Sequence, residues 1–495
     1  VKRAGVSPHG EASQIAAIYP VDGRAAILST SPSNFMSYQS INPATGESSE
    51  TFEEITDEEL ETALATAADC FERWRQLTFA ERGAIACRAA EILLLRIDEF
   101  ARLMTLEMGK RFEEAQGEVR LSADIIAYYA EHAEAFLAPE KLHPASGTAH
   151  IESAPLGVLF GVQPWNFPYY QLARFAAPNL MAGNVVMVKH SGTVPQCALA
   201  FEKLWREAGA PAGAYTNLFV SYDQVNRAID DPRIKGVALT GSEVAGAKVA
   251  ERAGKNLKKS TLELGGSDAF IVLEDADLEG ALKWALWAKM NNAGQCCIAA
   301  KRIIVVEEIA DVFLEKFQSA MEALVPGDPM DPATTLAPLS TEGALVKLLE
   351  QVEKAIKAGA KLVMGGQRMD RPGAYMQPTM LTDIKPDNPA FREEFFGPVA
   401  LMFRVKDEDE AVALANDSDY GLGGSIFTKD VSRGQRLATR IDTGMVFINH
   451  PTWTASDLPF GGIKNSGYGR ELSRQGIQEF VNKKLVRTQS IDASV

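Results

Sequence analysis

Residues 157–189 read GVLFGVQPWNFPYYQLARFAAPNLMAGNVVMVK. A short apolar run, GVLFGV (157–162), leads into a loop stiffened by Pro and Trp. A segment of helical length follows, and then a second apolar run, NVVMVK (184–189). Strands buried on both faces lose the polar alternation of a surface strand, so two such runs read as parallel strands inside a sheet. YTNLFV (215–220) and GVALTG (236–241) are further runs of the same kind, again separated by segments of helical length. Repeated strand–helix alternation implies a doubly wound α/β sheet, whose ligands sit at the carboxyl ends of its strands.

Towards the N-terminus the signals are helical. Leu60, Leu64, Ala67, Phe71 and Trp74 recur every three or four positions, and Thr56 with Glu59 forms a capping box. Thr78 with Glu81 repeats that start signal before a longer helix expected to run towards Met104. Towards the C-terminus a second α/β unit opens near residue 263. It contains AFIVLE (269–274), a helix over 278–292, RIIVVEE (302–308), and helices over 310–323 and 341–358. The segment 138–154, APEKLHPASGTAHIESA, reads as an extended ribbon, and QEFVNKKLVRTQSI from residue 478 as an edge strand. Exposed pieces of this kind invite subunit contacts. Residues 1–35, rich in Ser, Pro, Ala and Gly without periodicity, read as a disordered or artefactual extension, with Met36 as a candidate natural start.

A chain of 495 residues is long enough for two or three domains with large cores. Lys and Arg number 50 against 65 acids, a formal net charge of −15, which disfavours nucleic acid or an anionic membrane as the main partner. A local basic pocket for a small anion remains compatible with that balance. The five cysteines, at 70, 87, 197, 296 and 297, do not form a secreted disulfide framework. The six histidines never reach metal-ligand spacing, so no metal is expected. No apolar run approaches the ~18 residues of a membrane span, and the first 35 residues lack a signal-peptide core. From these features a cytoplasmic protein is expected.

Taken singly, the chemistry-bearing stretches are ambiguous. TGSEVAG (240–246) follows a strand and opens a helix; it is either a phosphate-facing turn or an ordinary strand–helix turn. Asn166, the one polar side chain of PWNFP (164–168), is a turn asparagine or a donor. Glu263 in LELGG (262–266) is an outward strand residue or a general base whose pKa is raised by apolar surroundings. Cys297, in GQCC (294–297), is an inert buried cysteine or a nucleophile.

Their joint order is far more specific. PWNFP, TGSEVAG, ELGG, GQCC, EEFFGPV (393–399) and PFGGIKNSGYGRE (459–471) together resemble the NAD(P)-dependent aldehyde dehydrogenase superfamily, from INPATGE (41–47) to the C-terminal region. The resemblance implies a Rossmann-like doubly wound cofactor domain, an α/β catalytic domain and a small β oligomerisation element. In this chain those fall at 36–137 with 155–262, at 263–464, and at 138–154 with 478–495. A homodimer or homotetramer is therefore expected.

By the same resemblance Cys297 is the nucleophile, Asn166 with the Cys297 backbone amide the oxyanion hole, and Glu263 the base that activates water. Trp165, Lys189, Ser191, Gly241 and Ser242 match positions lining the dinucleotide, Gly246 lets the next helix approach, and Glu394 and Phe396 clamp the nicotinamide ribose. Many NAD-preferring members carry a glutamate three residues after the lysine; here KHSG puts Gly192 there, so NADP or NAD is expected, with NADP favoured. Arg174 lies where succinate-semialdehyde dehydrogenases hold the substrate's distal carboxylate, and its alternative is a bridge to an internal acid. A second arginine of that group is replaced by Asn291, and Ser456 is a candidate hydroxyl donor. The overall texture is most similar to bacterial succinate-semialdehyde dehydrogenases.

Three other readings compete. One is oxidation of another small aldehyde by the same chemistry. Another is a cysteine hydrolase, which would want a histidine base such as His150, His190 or His450. The third is a binding role without catalysis. Cys296 is either a packed neighbour or the partner of a vicinal disulfide with Cys297.

Overall fold

The structure, a computed structural model, describes residues 38–492. The reading of residues 1–35 and Met36 lies outside them. Both capping boxes form: Thr56 caps the helix Asp57–Trp74 and Thr78 caps Phe79–Leu95, each with its glutamate reaching back to the cap amide. The longer helix expected to reach Met104 is two helices. Arg96 leaves helical geometry (φ −116°, ψ 29°), its guanidinium pairs with Glu99 and Glu207, and a new helix runs Ile97–Met108.

The decisive stretch forms the strand Val158–Gln163, the helix Pro168–Ala182 and the strand Val185–His190, with the two strands parallel. Every residue of that helix is buried, which is why its sequence shows no polar face. Ile234–Thr240 and Lys259–Glu263 extend the sheet in parallel on one side and Tyr215–Asn217 on the other, a strand shorter than its apolar run. Gly467–Tyr468 closes the far edge, antiparallel to Lys259–Glu263. Ala269–Val272 and Arg302–Val306 sit at the heart of a second, seven-stranded sheet, parallel except for its edge strand Lys361–Met364. A third sheet is antiparallel: Glu140–Leu142, Thr148–Pro155 and Val481–Thr488, the last leaving one side of its backbone at an edge. Among the described residues no helix is long and apolar enough to cross a membrane, and no cluster of His, Cys, Asp and Glu is arranged to hold a metal ion.

Candidate active site

The loop after Val158–Gln163 carries Trp165 and Asn166, and Pro168 opens the helix behind it, where a missing N–H costs nothing. That helix has no side-chain cap of its own. Glu118, from another helix, accepts the amides of Tyr169 at 2.9 Å and Tyr170 at 3.1 Å instead. Glu118 is also ion-paired to Lys110, both being buried. Lys110 Nζ donates to the Asn166 carbonyl at 2.8 Å, and Asn292 Nδ2 donates to the same oxygen at 2.9 Å. The Asn166 backbone is thus held from two sides, and its own Nδ2 lies 3.1 Å from the Gln295 carbonyl.

The cysteines follow the helix Leu278–Met290 and a single tight turn, Asn291–Gly294. Asn292 and Ala293 both adopt left-handed backbone (φ 53°), as does Gly294 (φ 76°). A Cβ on Gly294 would lie 2.2 Å from the Gly397 carbonyl, so only glycine fits there. Left-handed geometry on an alanine is costly, and a buried network over-determines it here: Gln295 Oε1 accepts from the Ser340 amide at 2.8 Å while Gln295 Nε2 donates to Asn292 O at 3.2 Å. All five cysteines are free, with Cys296 buried and Cys297 half-buried at the cleft. The interaction between the neighbouring thiols holds Cys296 below the usual thiol range and pushes Cys297 above it. Lys301 lowers both thiols.

Glu263 ends its strand with its carboxylate buried, and neither oxygen has a hydrogen-bond partner. Desolvation pushes it well above the usual carboxylate range, Glu471 raises it further, and Arg174 and Arg470 oppose the rise. Arg174 is 2% exposed and ion-paired through Nε to Glu471. Its Nη1 donates to the Tyr170 hydroxyl at 3.0 Å and its Nη2 to Thr240 Oγ1 at 3.1 Å, with the guanidinium over the Tyr170 and Phe460 rings. The internal acid weighed as Arg174's alternative partner therefore exists, and Arg174 does not line the cleft. Ser456 is also buried, and its carbonyl accepts from Ser473 N at 2.9 Å.

Asn166, Glu263 and Cys297 line one cavity of about 890 Å³ together with Trp165, Gly241, Ser242, Glu394 and Phe396. Ser242 caps the helix Glu243–Lys255, its Oγ accepting from Ala245 N at 3.3 Å, and the helix start lines the cavity through Ser242, Glu243 and Val244. Gly246 lies one turn in, where a Cβ would meet Leu264 at 2.7 Å; it brings the helix close to the sheet and does not line the cavity. Trp165 and Phe396 meet edge to face at 5.9 Å. Glu394 Oε1 is 2.8 Å from Lys301 Nζ and accepts from Gly266 N at 3.0 Å. Lys189 and Ser191 line a second cavity, also about 890 Å³, with Gly192, Tyr222 and Thr341. Burial holds the Lys189 ammonium down at about 8, with Glu54 opposing.

No histidine lines either cavity among the described residues. His190 is buried and spends Nδ1 on the Gln163 carbonyl at 3.2 Å. Several residues that build the site escaped the sequence reading. Glu471 stood inside the quoted PFGGIKNSGYGRE, and its signal was only an acid beside an arginine in a glycine-rich turn. Lys110, Glu118 and Asn292 carried no local signal.

The aldehyde dehydrogenase family profile matches residues 30–486 of this chain. The succinate-semialdehyde dehydrogenase [NADP(+)] of Deinococcus radiodurans is 54% identical over 450 residues, covering 91% of this chain and 94% of that protein. A probable succinate-semialdehyde dehydrogenase [NADP(+)] of Synechocystis sp. is 49% identical over 91% of this chain and 99% of its own length. The crystal structure of succinic semialdehyde dehydrogenase from Streptococcus pyogenes in complex with NADP+ superposes with a TM-score of 0.90 at 47% identity, covering 92% of this chain and 100% of that one.

Proposed function

We propose, from the premise that this chain belongs to the aldehyde dehydrogenase family, that it oxidises succinate semialdehyde to succinate with NADP+ as electron acceptor. The observation that carries the substrate and cofactor is the 54% identity over nine-tenths of the chain to a relative bearing that name. The reaction class rests on Cys297, Glu263 and Asn166 sharing one cavity.

Cys297 Sγ attacks the aldehyde carbon, and the carbonyl oxygen becomes an oxyanion received by Asn166 Nδ2 and the Cys297 amide. One such donor is worth about 3–4 kcal/mol in the transition state. Held by Trp165, Gly241, Ser242, Glu394 and Phe396, a dinucleotide would supply the hydride acceptor needed for oxidation of the Cys297-bound thiohemiacetal to the thioester level. Glu263 then removes a proton from water as its oxygen attacks the thioester carbon. The tetrahedral adduct collapses with the Cys297 sulfur leaving as the thiolate that starts the next turnover, the free acid is released, and Glu263 returns its proton to solvent. A carboxylate raised by burial is basic enough for that task.

The residues present suit a phosphorylated dinucleotide. Gly241 and Ser242 stand at a helix N-terminus, and Trp165, Glu394 and Phe396 line the same cavity. Lys189 is a buried cation whose charge an anion would restore, with Ser191 beside it. No carboxylate stands at Gly192 to repel a 2′-phosphate.

Arg174 is our anchor for the distal carboxylate. Glu471, Tyr170 and Thr240 take three of its five N–H donors and the guanidinium lies behind the cavity wall, so this assignment requires the wall to open for the substrate; Ser456, also buried, is the second donor we assign. We also assign the three-stranded sheet to subunit contact in a homodimer or homotetramer, and the protein to the cytoplasm, where five free cysteines persist. The domain limits read from the sequence stand as part of this proposal.

The test is initial rates of cofactor reduction with succinate semialdehyde and with butanal, each with NADP and NAD. A kcat/KM advantage for the carboxylated aldehyde, lost in Arg174→Ala, is expected. Reading the ratio of the two aldehydes removes any common loss of folded enzyme. Equal values for both in the wild type overturn the substrate.

A further inference from the structure

A thiol is only a few per cent ionised at neutral pH unless a positive charge or hydrogen bond favours its anion. Cysteine nucleophiles commonly meet that need with histidine, and no histidine lines this cavity among the described residues. The charged and titratable groups around Cys297 are Cys296, Lys301, Arg174, Glu263 and Tyr170; around Lys301 they are Glu394, Asp268 and Lys289. Arg174 spends its Nε on Glu471.

Lys301 is fully buried. Its Nζ lies 2.7 Å from the Cys296 carbonyl, 2.7 Å from the Cys297 carbonyl and 2.8 Å from Glu394 Oε1. An ammonium has three protons, so all are committed, two of them to the backbone of the nucleophile itself. The backbone of Lys301 is pinned in turn, its carbonyl accepting from Leu401 N at 3.0 Å on the neighbouring strand Val399–Val405. The cysteine loop is therefore strapped to a rigid sheet through one buried cation.

We propose that Lys301 is the positioning residue of the nucleophile: it fixes the carbonyls of both cysteines and supplies the positive charge that favours the Cys297 thiolate. This rests on Cys297 being the reacting thiol. The direction agrees with Lys301 lowering Cys297 more than Arg174 does. It also makes Glu394 a regulator of that charge, because the carboxylate that lines the dinucleotide cavity is the acid in direct contact with Lys301, with Asp268 a second, more distant one.

Alkylation of the full-length protein by iodoacetamide across pH, followed by mass spectrometry of the peptide bearing Cys296 and Cys297, reads this directly. A Cys296→Ala background leaves a single reporting thiol. Lys301→Met is expected to move the half-reaction pH upward by about one unit, so that alkylation near neutrality slows roughly tenfold. Glu394→Gln removes the counter-charge and is expected to move it downward. A merely structural role would not produce opposite shifts. If Lys301→Met fails to fold, Glu394→Gln alone decides. An unmoved profile in folded Lys301→Met, or an upward or unmoved profile in Glu394→Gln, overturns the proposal. Alkylation needs neither aldehyde nor dinucleotide, so a wrong substrate leaves this result standing; a wrong nucleophile shows separately, as activity retained in Cys297→Ala.

Discussion

The cleft has a cysteine end and a dinucleotide end, and they handle charge in opposite ways. At the cysteine end Arg174, Glu471, Glu263, Lys301 and Asp268 are all buried, where desolvation works against the charged form of each and the neighbouring charges act on one another. Asp268 illustrates the balance: burial pushes its carboxyl up to about 6 while Lys301 pulls it down. At the dinucleotide end Ser242 and Lys347 are exposed to water, which screens whatever they meet. Lys189 and Ser191 lie between these extremes, Lys189 buried and Ser191 half-buried. The difference teaches where a substitution does harm. Truncation at the dinucleotide end removes a contact, whereas truncation at the cysteine end strands a charge in a low-dielectric interior.

The comparison breaks first, and most visibly, at the chemistry. Cys297→Ala is expected to abolish aldehyde oxidation, a fall of about 10⁴-fold or more in kcat. Glu263→Gln should lose about 10²–10⁴-fold in steady-state turnover yet keep a rapid burst of cofactor reduction matching the active sites, because only thioester hydrolysis needs the base. Stopped-flow absorbance separates the two, and a Glu263→Gln enzyme without a burst would assign the glutamate to an earlier step.

Stability sharpens it next. Arg174→Met leaves Glu471 buried beside Glu263 without its cation and is expected to cost about 3–5 kcal/mol by denaturant unfolding. Adding Glu471→Gln should recover part of that loss, since the stranded charge goes with it. Additive losses in the double variant would show the pair to be energetically idle.

The smallest effect lies towards the dinucleotide end, where titration rather than burial of a pair decides binding. Lys189 is cationic below about 8 and neutral above it. A 2′-phosphate favours the cation, so KM for NADP should rise as pH climbs through that value, approaching tenfold per unit beyond it. KM for NAD, which lacks the phosphate, should change less. Parallel pH profiles for the two cofactors would remove Lys189 from phosphate recognition.

Much of this protein is legible along the chain. Thr56 and Thr78 announce their helices through glutamates three residues on, and both boxes form. The apolar runs at 157–162, 184–189 and 236–241 become neighbouring parallel strands, and the loops at their carboxyl ends carry Trp165, Asn166 and Ser242 into one cavity. The break at Arg96 was not legible, because no glycine or proline marks it and one of the acids its guanidinium pairs with, Glu207, lies far along the chain. Nor was the left-handed geometry of Ala293, which no local preference selects and the contacts around Gln295 enforce; at Asn292 a left-handed backbone at least suits the residue type.

By itself, then, the sequence determined the order of strands and helices and the residue types delivered to the cleft, because hydrophobic period, caps and tight turns are local properties. Only the tertiary structure decided which charges face one another: Arg174 with Glu471, Lys110 with Glu118, Lys301 with Glu394. Coulomb and desolvation terms depend on distances in space and on the exclusion of water, and both exist only once remote segments have packed.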